Sequence, residues 1–184
     1  MENFKINEFG EIVREDYFFR QVSGSGVQVL PFNRKVWKIY LLTLVTFGIY
    51  GLVLAFAMAK ETNISCAEDG KHTRGFWGAF GLSIITLGIY MIVWYCKWLN
   101  REANYLERHG KSSKMTGGGY LFLVLLIIIL NVVAQITAYT SPEISLLFSL
   151  AVFVFGIVIL TKVITQHNEV NITYNEINNF VRKG

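Results

Sequence analysis

Little in this chain has the type and spacing that reaction chemistry requires. Cys66, Asp69 and His72 follow one another at steps of three, and all carry metal-ligating atoms. Three mixed ligands in a short loop, without a fourth, fall short of a tetrahedral site, so we expect no metal. The other histidines, His109 and His167, stand alone. Cys66 and Cys96 lack C-x-x-C spacing and fall in different kinds of segment, which argues against a disulfide. Neither H-E-x-x-H, nor G-x-S-x-G, nor a phosphate-cradling glycine loop occurs. Lys38, Lys97 and Lys162 sit near the ends of apolar blocks, and Asp16 and Asp69 lie in polar segments. Chemistry inside a bilayer draws on ionisable groups at depth, and the blocks carry none there. The expectation is a protein that is not an enzyme, with no catalytic residue and no cofactor.

What remains is hydrogen bonding and close packing. Residues 34–53 match residues 74–93 at a fixed offset of 40, with Arg34/Arg74, Trp37/Trp77, Leu42/Leu82, Thr46/Thr86, Gly48/Gly88, Ile49/Ile89, Tyr50/Tyr90 and Val53/Val93 identical. The shared core is T-x-G-I-Y. Each Thr can place its hydroxyl on the carbonyl one turn back, and each Gly lets a neighbouring backbone approach. A helix-packing motif of Thr46, Gly48, Tyr50, Thr86, Gly88 and Tyr90 follows, with Gly48 against Gly88 and the two tyrosines framing them. Asn131 and Gln135 are four apart and so share a helix face. They form a polar intramembrane strip, read first as interhelical hydrogen bonding and alternatively as the lining of a pore or groove.

The elements that must position these residues are apolar. The chain has 184 residues, of which 53% are hydrophobic, above the range of soluble domains. Four blocks hold the excess: Val36–Ala59, Trp77–Trp98, Tyr120–Ala138 and Ile144–Ile164. Each is long enough for a helix to cross about 30 Å of hydrocarbon. Trp77, Trp94, Tyr95 and Trp98 give the second block interfacial aromatics. The turn at Ser141-Pro142-Glu143 makes the last two an antiparallel pair.

Residues 1–33 are polar, with a strand-turn-strand around Phe9-Gly10, a flexible joint at Ser23–Gly26, and no apolar signal segment. Beyond residue 164, Val170, Tyr174, Ile177 and Val181 recur at helical spacing, giving an amphipathic tail for headgroups or a partner. The domains are therefore 1–33, a membrane domain 34–164, and the tail 165–184.

With four crossings, the N-terminal side, second loop and C-terminal side hold fourteen Lys and Arg, and the opposite face holds Lys60, Lys71 and Arg74. The positive-inside rule then puts both termini in the cytoplasm. The net charge of +4 is assigned to lipid headgroups rather than nucleic acid.

The stretch from Arg34 to about Gly110 resembles a prokaryotic membrane-protein family, the domain of unknown function 4234. The likeness rests on the T-x-G-I-Y segment Leu82–Tyr95 with Lys97, Leu99 and Asn100, on Asn63-Ile64-Ser65-Cys66 with Asp69-Gly70-Lys71, and more loosely on Gln166-His167-Asn168. The first copy departs from it with Leu54 where the second has Trp94. The resemblance implies a membrane setting and no activity. The full expectation is an all-α polytopic bundle of four transmembrane helices in a prokaryotic cytoplasmic membrane, the first two an inverted duplicated pair. Its partners would be the lipid bilayer and a second copy or another membrane protein. It would act as a non-enzymatic accessory or assembly component, or alternatively as a small oligomeric channel or carrier.

Overall fold

The computed structural model describes residues 4–6, 12–14 and 29–178. Two short strands, β1 (Phe4–Ile6) and β2 (Ile12–Arg14), pair antiparallel with Lys5 opposite Val13, as the alternating pattern predicts. Phe9-Gly10, the Ser23–Gly26 joint and Val181 lie outside the described residues.

The T-x-G-I-Y motif does not sit within a helix. It ends one helix and starts another. α1 (Val36–Val45) stops at Thr46, and α2 (Ile49–Ser65) begins after Gly48. Phe47 and Gly48 both take left-handed backbone, with φ of 50° and 91°. The Gly48 amide donates to the Thr43 carbonyl at 2.7 Å, the six-to-one bond of a Schellman stop. The Thr46 hydroxyl then works in both directions. It donates to the Leu42 carbonyl at 2.7 Å and accepts from the Tyr50 amide at 2.9 Å, closing α1 and opening α2.

The second copy repeats each step. α3 (Phe76–Ile85) and α4 (Ile89–Arg108) flank Leu87 and Gly88, with φ of 49° and 89°. Thr86 donates to Leu82 at 2.8 Å and serves the Tyr90 amide at 2.9 Å. A left-handed residue other than glycine costs about 1–2 kcal/mol. These bonds offset that cost at Phe47 and Leu87.

The first two apolar blocks are therefore helical hairpins, and the expectation of one continuous crossing helix over Val36–Ala59 and another over Trp77–Trp98 fails. α1 and α3 have ten residues each, about 15 Å of helix, half of what a crossing needs. Both arms return to their starting level. Arg34, just before α1, pairs with Glu61 near the end of α2 at 2.5 Å. The Trp94 indole of α4 donates to the Arg74 carbonyl just before α3 at 2.9 Å. Both copies start and finish at the same end of the molecule, so they run in parallel and not as an inverted pair. The physical reason is the turn: the glycine expected to admit a neighbouring helix is used for its positive φ.

α5 (Gly117–Thr137) and α6 (Pro142–Ile177) form the long antiparallel hairpin that the short Ser141-Pro142 connection predicts, with the Ser145 hydroxyl on the Ala134 carbonyl at 2.8 Å. These two helices are long and apolar enough to cross a membrane, and almost none of their most apolar stretches is buried. They are the two such helices among the described residues, where four were expected. Thr116 caps α5 by accepting from the Gly119 amide at 3.1 Å. Gly117 lets α5 start against α4, because a Cβ there would collide with the Cys96 carbonyl.

The result is three hairpins rooted in one polar base. Their tips are bare: Phe47, Leu87 and Tyr139 are 97%, 94% and 94% exposed. The apolar core lies between base and tips, where Met58 of α2, Trp94, Trp98 and Leu99 of α4 and Ile164 of α6 are buried together.

Candidate functional site in the polar base

Most of the buried polar side chains gather in the base, drawn from three helices. α2 brings Glu61, Thr62 and Ser65; α4 brings Arg101 and Glu102; the end of α6 brings Gln166, His167, Asn171 and Asn175. Glu61 and Thr62 lie about three turns beyond the first tip, and Arg101 and Glu102 a similar distance beyond the second. Helical rise thus carries these corresponding residues of the two return arms to one level.

His167 is at the centre. It is fully buried, with Nδ1 2.6 Å from Glu102 Oε1 and Nε2 2.9 Å from Glu61 Oε2. Glu102 Oε1 also accepts from the Thr62 hydroxyl at 2.9 Å, and that hydroxyl accepts from the Trp98 indole at 2.8 Å. Glu61 adds Arg34 and an Asn171 amide N–H at 2.8 Å. Two carboxylates against one guanidinium leave a negative excess, and an imidazolium removes it. Burial by itself lowers the pKa of His167, but the two carboxylates overcome it and hold it above 6.5. Burial likewise raises Glu61, and His167 and Arg34 reverse that and hold it below 4.5.

A second network fixes the loop between the short hairpins. Arg101 grips Asp69 with Nε and Nη2 at 2.8 and 2.9 Å. Its remaining N–H groups reach Asn63 Oδ1 at 2.6 Å, Thr73 Oγ1 at 2.9 Å and the Lys71 carbonyl at 2.6 Å. A planar five-donor fork suits this role and an ammonium does not.

The third device is a row of amides on α6 that bind backbone. Asn175 both donates to and accepts from Leu30, at 2.8 and 3.0 Å. Asn171 donates to the Pro31 carbonyl at 2.7 Å and Asn168 to the Arg34 carbonyl at 3.1 Å. Gln166 Oε1 accepts the amides of Lys114 and Met115 at 2.9 and 2.7 Å. From residue 165 to Ile177 the chain is thus the continuation of α6 and packs on its own chain. Its buried face is mainly polar, and Ile177 is 51% exposed. The hydrophobic spacing of Val170, Tyr174 and Ile177 pointed to headgroups or a partner and overlooked the amides between them.

The residues singled out by sequence are spread over the molecule. Thr46, Tyr50, Thr86 and Tyr90 flank the two tips. A Cβ added at Gly48 or Gly88 would meet nothing within 4 Å, so the expected contact between these glycines is absent. Asn131 faces outward and returns its amide to its own helix at Ile127, 3.0 Å away, and Gln135 is exposed too. Among the described residues they make no interhelical hydrogen bond. Cys66, Asp69 and His72 do not converge: Asp69 is held by Arg101, His72 is exposed, and Cys66 is fully buried. Burial pushes the Cys66 thiol up to about 12.

Glu61, Glu102, Arg101 and His167 were missed because a charge in a polar segment is ordinarily solvated. Their signal was position: each comes within about one turn after an apolar run, on the inward face. As an arrangement the base can hold charge and fix backbone. An apolar cavity of about 700 Å³ lies between α1, α2 and α6, and its wall includes Trp98 but not Glu61, Glu102 or His167.

A family model described as Domain of unknown function (DUF4234) matches residues 34–76 and residues 74–171. The two matches begin at Arg34 and Arg74, the corresponding positions of the two copies. No curated protein and no solved structure matches the chain.

Proposed function

Since the chain belongs to the DUF4234 family, whose description carries no activity, we propose that it is a non-enzymatic accessory or assembly component of a prokaryotic cytoplasmic membrane, seated mainly in the cytoplasmic leaflet. The observation that carries this reading is the shared base. Every Lys and Arg from Arg34 to Lys162 lies in the base or within about one turn of it, and the Ala138–Ser141 turn at the far end has none. A base on the cytoplasmic side satisfies the positive-inside rule more fully than four crossings do. α5 and α6 then cross, the termini stay inside, and the short hairpins reach about half way.

This seating is asymmetric. Six helical arms occupy the inner leaflet and two the outer. At a diameter of 10–12 Å a helix covers roughly 80–110 Å², so the four extra arms add roughly 300–450 Å² to one leaflet. A protein of this shape works through lipid and helix packing, as a wedge or as a platform for a partner. Reconstitution into liposomes at rising protein content tests it: vesicle diameter should fall while solute flux stays at background.

The alternative reading, a small oligomeric channel or carrier, draws on the outward Asn131 and Gln135, which would line a path only between copies. Solute flux that Asn131→Leu abolishes would favour it over the accessory role.

A further inference from the structure

A cavity of about 540 Å³ opens between the Lys71–Arg74 loop and the outer face of α4. Its wall runs along α4 from Tyr90 and Val93, through Lys97, to Asn100 and Asn104. That is a graded strip about 21 Å long, apolar at the tip end, cationic in the middle and amide-bearing at the base. Lys71 and Arg74 face Lys97 from the loop. None of the residues lining this cavity is an Asp or Glu. Asp69, two residues before Lys71, is gripped by Arg101 through both oxygens. Among the described residues Lys71, Arg74 and Lys97 have no carboxylate within ion-pair distance.

The cavity is built and not merely bare. The Trp94 indole holds the Arg74 carbonyl at 2.9 Å, fixing the loop to α4. Arg101 holds the Lys71 carbonyl and the Thr73 hydroxyl from the same side. Gly78 leaves room for the Arg74 side chain, whose Cδ would lie 2.8 Å from a Cβ at that position.

We propose that this cavity binds one anionic glycerophospholipid, with the phosphate among Lys71, Arg74 and Lys97 and an acyl chain along Val93 and Tyr90. The apolar lower wall decides for a lipid over a free phosphate, since inorganic phosphate has no use for it. The amides of Asn100 and Asn104 meet the polar headgroup above the phosphate. The site depends on the fold-back of the second hairpin and not on the accessory role.

The test is lipid binding to the purified full-length protein, read by native mass spectrometry as phosphatidylglycerol or phosphatidylcholine is titrated in. A cation near a lipid phosphate contributes about 1 kcal/mol, so Arg74→Gln with Lys97→Gln should weaken phosphatidylglycerol binding roughly thirtyfold. Arg74→Lys with Lys97→Arg should restore it. Lys35→Gln with Lys38→Gln removes the same charge from another part of the base end and should change binding by less than about threefold, because distant charges are screened. Equal loss in that control, or equal affinity for phosphatidylcholine, overturns the proposal in favour of general surface attraction. Displacement of the lipid by millimolar inorganic phosphate overturns it in favour of a free-anion site. If the Gln pair does not fold, Val93→Asp, placed on the acyl wall, should lower lipid affinity with all cations in place, and unchanged affinity counts against the proposal.

Discussion

His167→Leu removes both hydrogen bonds at the centre of the base and leaves two carboxylates with one guanidinium. Glu102 is fully buried and the Glu61 side chain is 12% exposed, so water compensates little. Removing one partner of a buried charge pair costs about 3–5 kcal/mol. For a chain of this size each kcal/mol is worth roughly 2–4 °C, so the melting temperature should fall by roughly 6–20 °C. Adding Glu102→Gln removes the stranded charge, and the double variant should recover at least about 1 kcal/mol relative to His167→Leu.

The pH dependence has a definite sign. His167 is raised above 6.5 in the folded protein, so its contribution is complete below 6.5 and is lost as pH climbs through its folded value. Glu61 is held below 4.5, so its contribution is complete above 4.5 and is lost as pH falls through its folded value. Thermal unfolding in detergent across this range should show a maximum between the two limits, and His167→Leu should flatten the alkaline limb. A loss under about 1 kcal/mol, or an alkaline limb unchanged in the variant, would refute the imidazolium at the centre of the base.

Three further outcomes follow from the geometry. Gly48→Ala and Gly88→Ala should each cost about 1–2 kcal/mol through backbone strain alone, since the added methyl meets nothing; paired melting curves check this, and Gly→Asn should cost less. Arg101→Lys should loosen the Cys66–Thr73 loop, so that in a Cys96→Ser background Cys66, inert in the parent because burial pushes its thiol up to about 12, reacts with maleimide at least about tenfold faster. Gly117→Ala drives a methyl into the Cys96 carbonyl and should part α4 from α5 at a cost of about 1–3 kcal/mol, measured as loss of melting temperature.

The sequence made some of this legible and hid the rest for physical reasons. The duplication, the Thr hydroxyl on the carbonyl one turn back, the short strands and the α5–α6 pair all rest on local spacing, and all have counterparts in the structure. The fold-back did not show, because a run of about 24 apolar residues has the same composition whether it crosses or returns. What distinguishes the two is the φ of Phe47 and Gly48, and a glycine in an apolar run can equally well mark close helix packing. The base was hidden differently. Glu61 lies 106 positions from His167, so no local pattern links them, and Asn168, Asn171 and Asn175 bind backbone that carries no side-chain signature.

The fold-back is the central claim, and cysteine accessibility in intact cells tests it most directly. With Cys66 and Cys96 replaced by serine, single cysteines at His72 and Tyr139 would be challenged with an impermeant maleimide from outside. Folded-back hairpins predict labelling of Tyr139→Cys alone, with His72→Cys reacting only after the membrane is opened. Four crossings place both positions outside, and labelling of His72→Cys in sealed cells would contradict the account.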